Sequence, residues 1–179
     1  MPIVNGKAMW ASILKPNTTY EPVYTINVVV DSDTADKFQQ AGYTIKNRPV
    51  SWSDDDMPQL VVKRKVNGPG FERSAPDLLS NVRDPETGKW IPLAHFKVIK
   101  NKFNGDVDKY IEARNDGYNI EDDARSLNVN VGNGSEVSVQ YKEWETNRSG
   151  QTYKGLDLLK VQVTKLVEYE PDDVDEFAG

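Results

Sequence analysis

The chain has 179 residues, enough for one domain with its own core, and a formal net charge of −6. Cysteine is absent and His95 is the single histidine, which excludes disulfides, thiolate metal sites and a cysteine nucleophile and gives little basis for multi-histidine metal sites or Ser-His-Asp catalysis. No apolar run of about 18 residues offers a membrane-spanning helix, and the opening MPIVNGKAMW lacks the layout of a signal peptide.

Strand signals dominate the chain. Residues 24–30 (YTINVVV) are β-branched and aromatic and follow a proline. Between this strand and the next, Asp31 or Ser32 can cap a helix in which Ala35, Phe38 and Ala41 recur, and Gly42 can close it. Residues 43–58 have the character of a long loop, and 60–66 (LVVKRKV) of a second strand. A further long loop is expected over 68–84, then a strand over 90–99 (WIPLAHFKVI) after the turn DPETGK. A short helix is expected over 107–114. Residues 136–144 (EVSVQYKEW) alternate, with Val137, Val139 and Tyr141 on one face. Residues 156–167 alternate through Leu159, Val161 and Val163, and the two runs should form an antiparallel hairpin with a long tip, ETNRSGQTYKG. The expected fold class is mostly β, with five strands, one main helix and a detachable tail. This pattern suits a small barrel and does not separate it from a sandwich.

Charge is unevenly placed. The last twelve residues, EYEPDDVDEFAG, hold six acids and no base, so the remainder is neutral overall. Residues 60–102 hold nine bases against four acids, and residues 104–124 seven acids against two bases. Such clustering is common on solvated surfaces. Here aromatics accompany the bases. Trp52 lies in a polar context and Trp90 follows Gly-Lys; Phe71 is beside Arg73. Trp144 and Tyr153 flank the hairpin tip near Lys142, Arg148 and Lys154. A single strand of nucleic acid offers base faces to stack and phosphates to pair, so interleaved aromatics and bases fit it. Each aromatic taken alone is better explained by the core, and the set, with bases recurring beside it, by binding.

In LVVKRKV, Val61, Lys63 and Lys65 share one face, while Leu60, Val62, Arg64 and Val66 share the other. The run Lys63, Arg64, Lys65 suits a groove that tracks a nucleic-acid backbone, or an edge strand guarded by lysine. Asp54, Asp55 and Asp56 could in principle bind a divalent metal in a nuclease, but consecutive aspartates seldom converge on one ion. GPG at 68–70 lacks the ending of a phosphate loop, and GNGS at 132–135 reads as a turn into a strand. No catalytic set, metal site or cofactor motif is expected.

The stretch VGNGSEVSVQYKEWETNRSGQTYKGLDLLKVQVTKLVEYEPDDVDEF resembles the closing hairpin and tail of phage single-stranded DNA-binding proteins of the gene 2.5 type. That family has a Gly-rich turn with Gly-Ser, here Gly134 and Ser135, then an alternating strand, a variable loop, a second strand and an acidic tail with an aromatic near its end. The opening WASILKPNTTYEPVYTINVVV is similar to the family's first two strands. The resemblance covers about two-thirds of the chain, and the middle matches only in character.

The resemblance implies a five-stranded oligonucleotide-binding barrel (OB-fold) over 1–167 with a disordered acidic tail over 168–179. It implies a sequence-independent, non-enzymatic single-stranded DNA-binding protein of phage replication, recombination and repair, acting in the cytoplasm of the infected bacterial host. The tail would engage phage DNA polymerase and helicase-primase through Asp172, Asp173, Asp175, Glu176 and Phe177, and could support a homodimer. Being polyanionic, it would occupy the basic groove until DNA displaces it. In the family the aromatic is typically last; here Ala178 and Gly179 follow it. The alternative is a non-enzymatic virion or assembly β-protein that docks through the same tail.

Overall fold

The computed structural model describes residues 2–18, 22–65, 80–126 and 131–168. Eight strands form one sheet in the order β3-β4-β2-β1-β7-β8-β5-β6. They are β1 (Ile3–Asn17), β2 (Val23–Val29), β3 (Lys46–Val50), β4 (Ser53–Lys65), β5 (Asn81–Arg83), β6 (Trp90–Pro92), β7 (Glu136–Arg148) and β8 (Gln151–Lys165). An additional pairing of β4 with β8 closes five of them, β4-β2-β1-β7-β8, into a barrel. Three consecutive antiparallel strands (β1, β2, β4) are joined to the β7–β8 hairpin by an antiparallel β1–β7 pair and a parallel β4–β8 contact. This is the connectivity of a five-stranded oligonucleotide-binding barrel.

The core follows from alternation. Ala8, Ile26, Val28, Leu60, Val62, Val139, Leu158, Val161 and Val163 turn inward and are essentially inaccessible to water. Gly6 lets β1 cross β2 closely, because a Cβ there would strike the Val29 carbonyl and the Val28 side chain.

Helix α1 (Ser32–Gln40) starts as the sequence indicates. The Asp31 carboxylate accepts the Thr34 N–H at 2.8 Å, which holds the Asp31 pKa below its ordinary value. Gly42, at φ 96°, donates its N–H to the Gln39 carbonyl and closes the helix. Phe38 packs α1 on the barrel, 5.9 Å from the Tyr141 ring and 5.8 Å from Tyr43.

Several expected elements differ. The stretch 43–58 is not a loop: β3 and the first half of β4 form a hairpin through a turn at 51–52. Asp54, Asp55 and Asp56 are exposed there, so water solvates their charge, and the Pro58 carbonyl accepts the Val30 N–H at 3.1 Å. The stretch 90–99 is a strand only over Trp90–Pro92; a 3-10 turn (Leu93–His95) and helix α2 (Phe96–Lys102) follow. Helix α2 buries Val98 and Ile99, so packing overrides their β preference. The short helix expected at 107–114 is α3 (Val107–Asn115), and α4 (Ile120–Ser126) was unforeseen; with α1 and α2 the described residues hold four short α-helices beside the barrel. The strand Asn81–Arg83 replaces the end of the expected loop 68–84, whose residues 68–79 lie outside the described ones.

The β7–β8 hairpin has a two-residue tip rather than a long loop. Ser149 and Gly150 have φ of 52° and 80°, the sign that tight hairpin turns require at both central residues. The β8 register shifts between the pairs Gln140–Lys160 and Tyr141–Leu158, leaving Leu159 as an extra residue. Leu158, and not Leu159, therefore joins Val161 and Val163 in the core.

The inserted helices pack around His95. Its Nδ1 is 2.7 Å from the Tyr110 hydroxyl and its Nε2 is 2.8 Å from Glu121 Oε1. Tyr110 Oη also accepts from Arg114 at 3.2 Å, and burial raises the Tyr110 pKa. The histidine, at the end of the 3-10 turn that leads into α2, thus ties that turn to α3 and α4.

Candidate nucleic-acid interface

The outer face of the barrel carries the residues that could contact a ligand. On β7 and β8 the register places Lys142 opposite Asp157, Trp144 opposite Gly155, Thr146 opposite Tyr153 and Arg148 opposite Gln151. Opposed residues of an antiparallel pair share a face, so these eight form one surface. The alternate residues Glu143 and Glu145, with Lys154, lie on the other side. Strand β7 therefore sorts its charges, with Lys142 and Arg148 outward beside Trp144 and the two glutamates away from them.

Trp144 is seated on Gly155. A Cβ at position 155 would overlap the indole at Cζ2, Cε2 and Nε1, so the absent side chain is what lets the ring lie across the neighbouring strand. The ring remains 40% exposed, and Tyr153, on the same face, 47% exposed. The Tyr153 hydroxyl donates to Gln151 Oε1 at 2.8 Å, which orients the phenol. The result is a pair of open aromatic surfaces flanked by cations.

The parallel contact that closes the barrel brings β4 to this face, with Lys63 in register with Asp157. Lys63 and Lys65 are exposed on the side of β4 that carries Val61. Burial raises the Asp157 pKa, and Lys142 and Arg64 oppose that rise. Asp157 thus lies at the seam, opposite Lys142 on β7 and in register with Lys63 on β4.

Other expected contact residues lie elsewhere. Arg64 shares the inward face with Leu60 and Val62 and is 3% exposed; burial lowers its pKa, and Asp157 and Tyr24 favour its charged form. Lys154 faces helix α1, where its Nζ donates to the Ala41 carbonyl at 2.6 Å and lies 5.5 Å from the Tyr43 ring centroid. Trp52 packs half-buried on a second cluster of Met9, Val29, Val50 and Met57, with Lys7 Nζ 5.0 Å from its ring centroid. Trp90 is 44% exposed on β6, opposite Arg83, on the short extension beyond β8. Phe71, Arg73 and the tail residues Asp172, Asp173, Asp175, Glu176 and Phe177 lie outside the described residues. Asp54, Asp55 and Asp56 occupy successive strand positions, so neighbouring carboxylates point to opposite faces.

Two side chains escaped the sequence reading. Lys7 reaches over Trp52, and Trp10 stands out from β1, 63% exposed. Their only sequence signal was an aromatic and a base in the first strand.

No family model matches the chain, and none of the curated proteins matches it. Among solved structures, it is similar to the single-stranded DNA-binding protein from bacteriophage Enc34 in complex with ssDNA, at 14% identity over 93% of this chain and 86% of that one, TM-score 0.48. It is likewise similar to gp2.5, a single-stranded DNA-binding protein encoded by bacteriophage T7, at 15% identity over 98% of this chain and 94% of that one, TM-score 0.48.

Proposed function

We propose that the chain is a non-enzymatic protein that coats single-stranded DNA without regard to sequence. The observation that carries this reading is the outer face of the β7–β8 hairpin, where Trp144 lies on Gly155 beside Tyr153 with Lys142, Arg148 and Lys63 around them. Unpaired bases would stack on Trp144 and Tyr153, each stack worth about 1–3 kcal/mol. The cations would take the phosphates. Every base has a face and every nucleotide a phosphate, so neither contact reads sequence. A duplex keeps its base faces stacked internally and offers only charge. The role in phage replication, recombination and repair, in the infected host, follows from the family resemblance.

The test is the salt dependence of binding. Lys63→Ala and Lys142→Ala should each weaken binding to oligo-dT, oligo-dC and oligo-dA alike. Each should also reduce the slope of log affinity against log salt by about 0.7, the value for one phosphate contact on a single strand. A loss restricted to one base composition would replace stacking with specific readout.

The tail over 169–179 has a physical role in this reading. Five acids and no base over 169–179 make it a mimic of the DNA backbone, able to compete for the cations of the face. Once freed, its carboxylates and Phe177 would be offered to a replication partner such as a polymerase or helicase-primase. Its root is fixed: Glu168 bridges to Val131 and pairs with Lys97 at 3.0 Å and Lys100 at 3.9 Å. Deleting residues 169–179, which spares that anchor, should raise affinity for oligo-dT at low salt and matter little at high salt. Unchanged or weaker binding at low salt would remove the competition.

A further inference from the structure

Trp10 sits in an unusual backbone position. Strand β1 pairs Met9 with Asn27 and Ser12 with Thr25, so Trp10 and Ala11 together stand against the single residue Ile26. That is a β-bulge, and Ala11 packs against the main core, which leaves Trp10 as the extra residue. Its φ is 53°, a region that bulky side chains avoid and that bulges normally give to glycine. The chain nevertheless has tryptophan there, 63% exposed and in neither hydrophobic cluster.

The strained position is held from outside the strand. The Trp10 N–H donates at 2.8 Å to Oδ1 of Asn133, which belongs to the turn leading into β7. The same turn is fastened to β1 by Gly134 N–H to the Ala8 carbonyl, and by Ala8 N–H to the Ser135 carbonyl, each at 2.8 Å. Gly134 also lies against the Trp52 ring, which Lys7 covers from 5.0 Å. Of the residues around Trp10, Ala11 packs on the main core, while Met9 lies on the other side of the sheet under Val50, Trp52 and Met57. A bulge is a device for re-aiming a side chain, and an exposed indole kept in a strained backbone does nothing for the core.

We propose that Trp10 is a second stacking residue for a base of single-stranded DNA, at the opposite end of the outer face from Trp144, and that Asn133 is its positioning residue. The inference rests on the single-stranded DNA reading above and extends that site from the hairpin to the start of β7. Lys7 would supply a phosphate contact beside it. The bulge then has a purpose: it presents a base-sized ring where regular alternation would present none.

The experiment follows binding of a fluorescently labelled oligo-dT by anisotropy, in parallel with intrinsic tryptophan quenching, for the full chain and its variants. Trp10→Ala should lower affinity about 5- to 150-fold, as loss of one stacked base does. Trp10→Phe should keep most of the affinity and lose part of the quenching. Trp10→Gly should match Trp10→Ala in affinity with a thermal midpoint at least as high, because glycine accepts the positive φ. Asn133→Ala should weaken binding by itself but add nothing in the Trp10→Ala background. If the wild type binds and Trp10→Ala binds equally well, the inference is overturned while the function stands. If Trp10→Phe and Trp10→Ala lose affinity together with thermal stability, the residue is structural and the inference is overturned. Absence of binding by the wild type overturns the function, and this inference with it.

Discussion

Trp144→Ala is expected to lower affinity for oligo-dT by about 1–3 kcal/mol with little change in stability. The ring is 40% exposed and rests on a glycine, so its removal uncovers little core. A second substitution makes the expectation sharper. Gly155→Ala leaves the indole in the protein but places a methyl group where the ring now lies. Trp144 is an exposed side chain and can swing away, so the fold should survive. The platform should not, and affinity should fall almost as far as in Trp144→Ala. Combined, the two changes should cost no more than Trp144→Ala alone, because they act on one contact. Equilibrium titration of the three variants checks this. Additive losses would mean that Gly155 approaches the DNA independently of the ring.

Gly6→Ala should act on stability instead, by about 1–3 kcal/mol or more. The difference from Gly155 lies in what the new methyl would meet. At Gly6 it would strike the Val29 carbonyl and the Val28 side chain, where β1 pairs with β2 inside the barrel. Backbone in a packed sheet cannot swing aside as an exposed indole can, so β1 must part from β2. Urea unfolding should show a lower midpoint with an unchanged slope, and residual binding should track the folded fraction. A Gly6→Ala chain as stable as the wild type would show that β1 and β2 do not approach this closely.

Four of the five barrel strands were readable from alternation or β-branched runs, while β1 entered only through the family resemblance. Val137, Val139 and Tyr141 alternate as a half-buried strand must, and the capped helix after β2 carries its own start and stop signals. Where those signals fail, the reading failed. The hairpin of β3 and β4 exposes both faces near Asp54, Asp55 and Asp56, so its composition is that of a loop. Residues 96–102 contain strand-forming valine and isoleucine, yet the helix is fixed by what Val98 and Ile99 pack against.

The site divides in the same way. Lys142 and Trp144 could be placed because they alternate along a strand that the sequence itself reveals, whereas Arg148 and Tyr153 fell in an expected loop and share that face only because the hairpin turns at two residues. The inward face of Arg64 was also legible from its spacing to Leu60 and Val62, although its charge argued for the groove. Lys154 Nζ donates to a carbonyl at Ala41, 113 positions away, and the Trp10 N–H to Asn133, 123 positions away. Contacts of that range leave no local trace in sequence.

The most direct test is intrinsic tryptophan fluorescence of the full chain titrated with oligo-dT at low and moderate salt, with duplex DNA of equal charge as the control. An outer face with exposed indoles predicts saturable quenching by oligo-dT, weaker as salt rises, and little response to the duplex. Equal quenching by both would reduce the face to a patch of charge. No response to either would contradict single-stranded DNA binding and favour the alternative, a non-enzymatic virion or assembly protein that docks through its acidic tail.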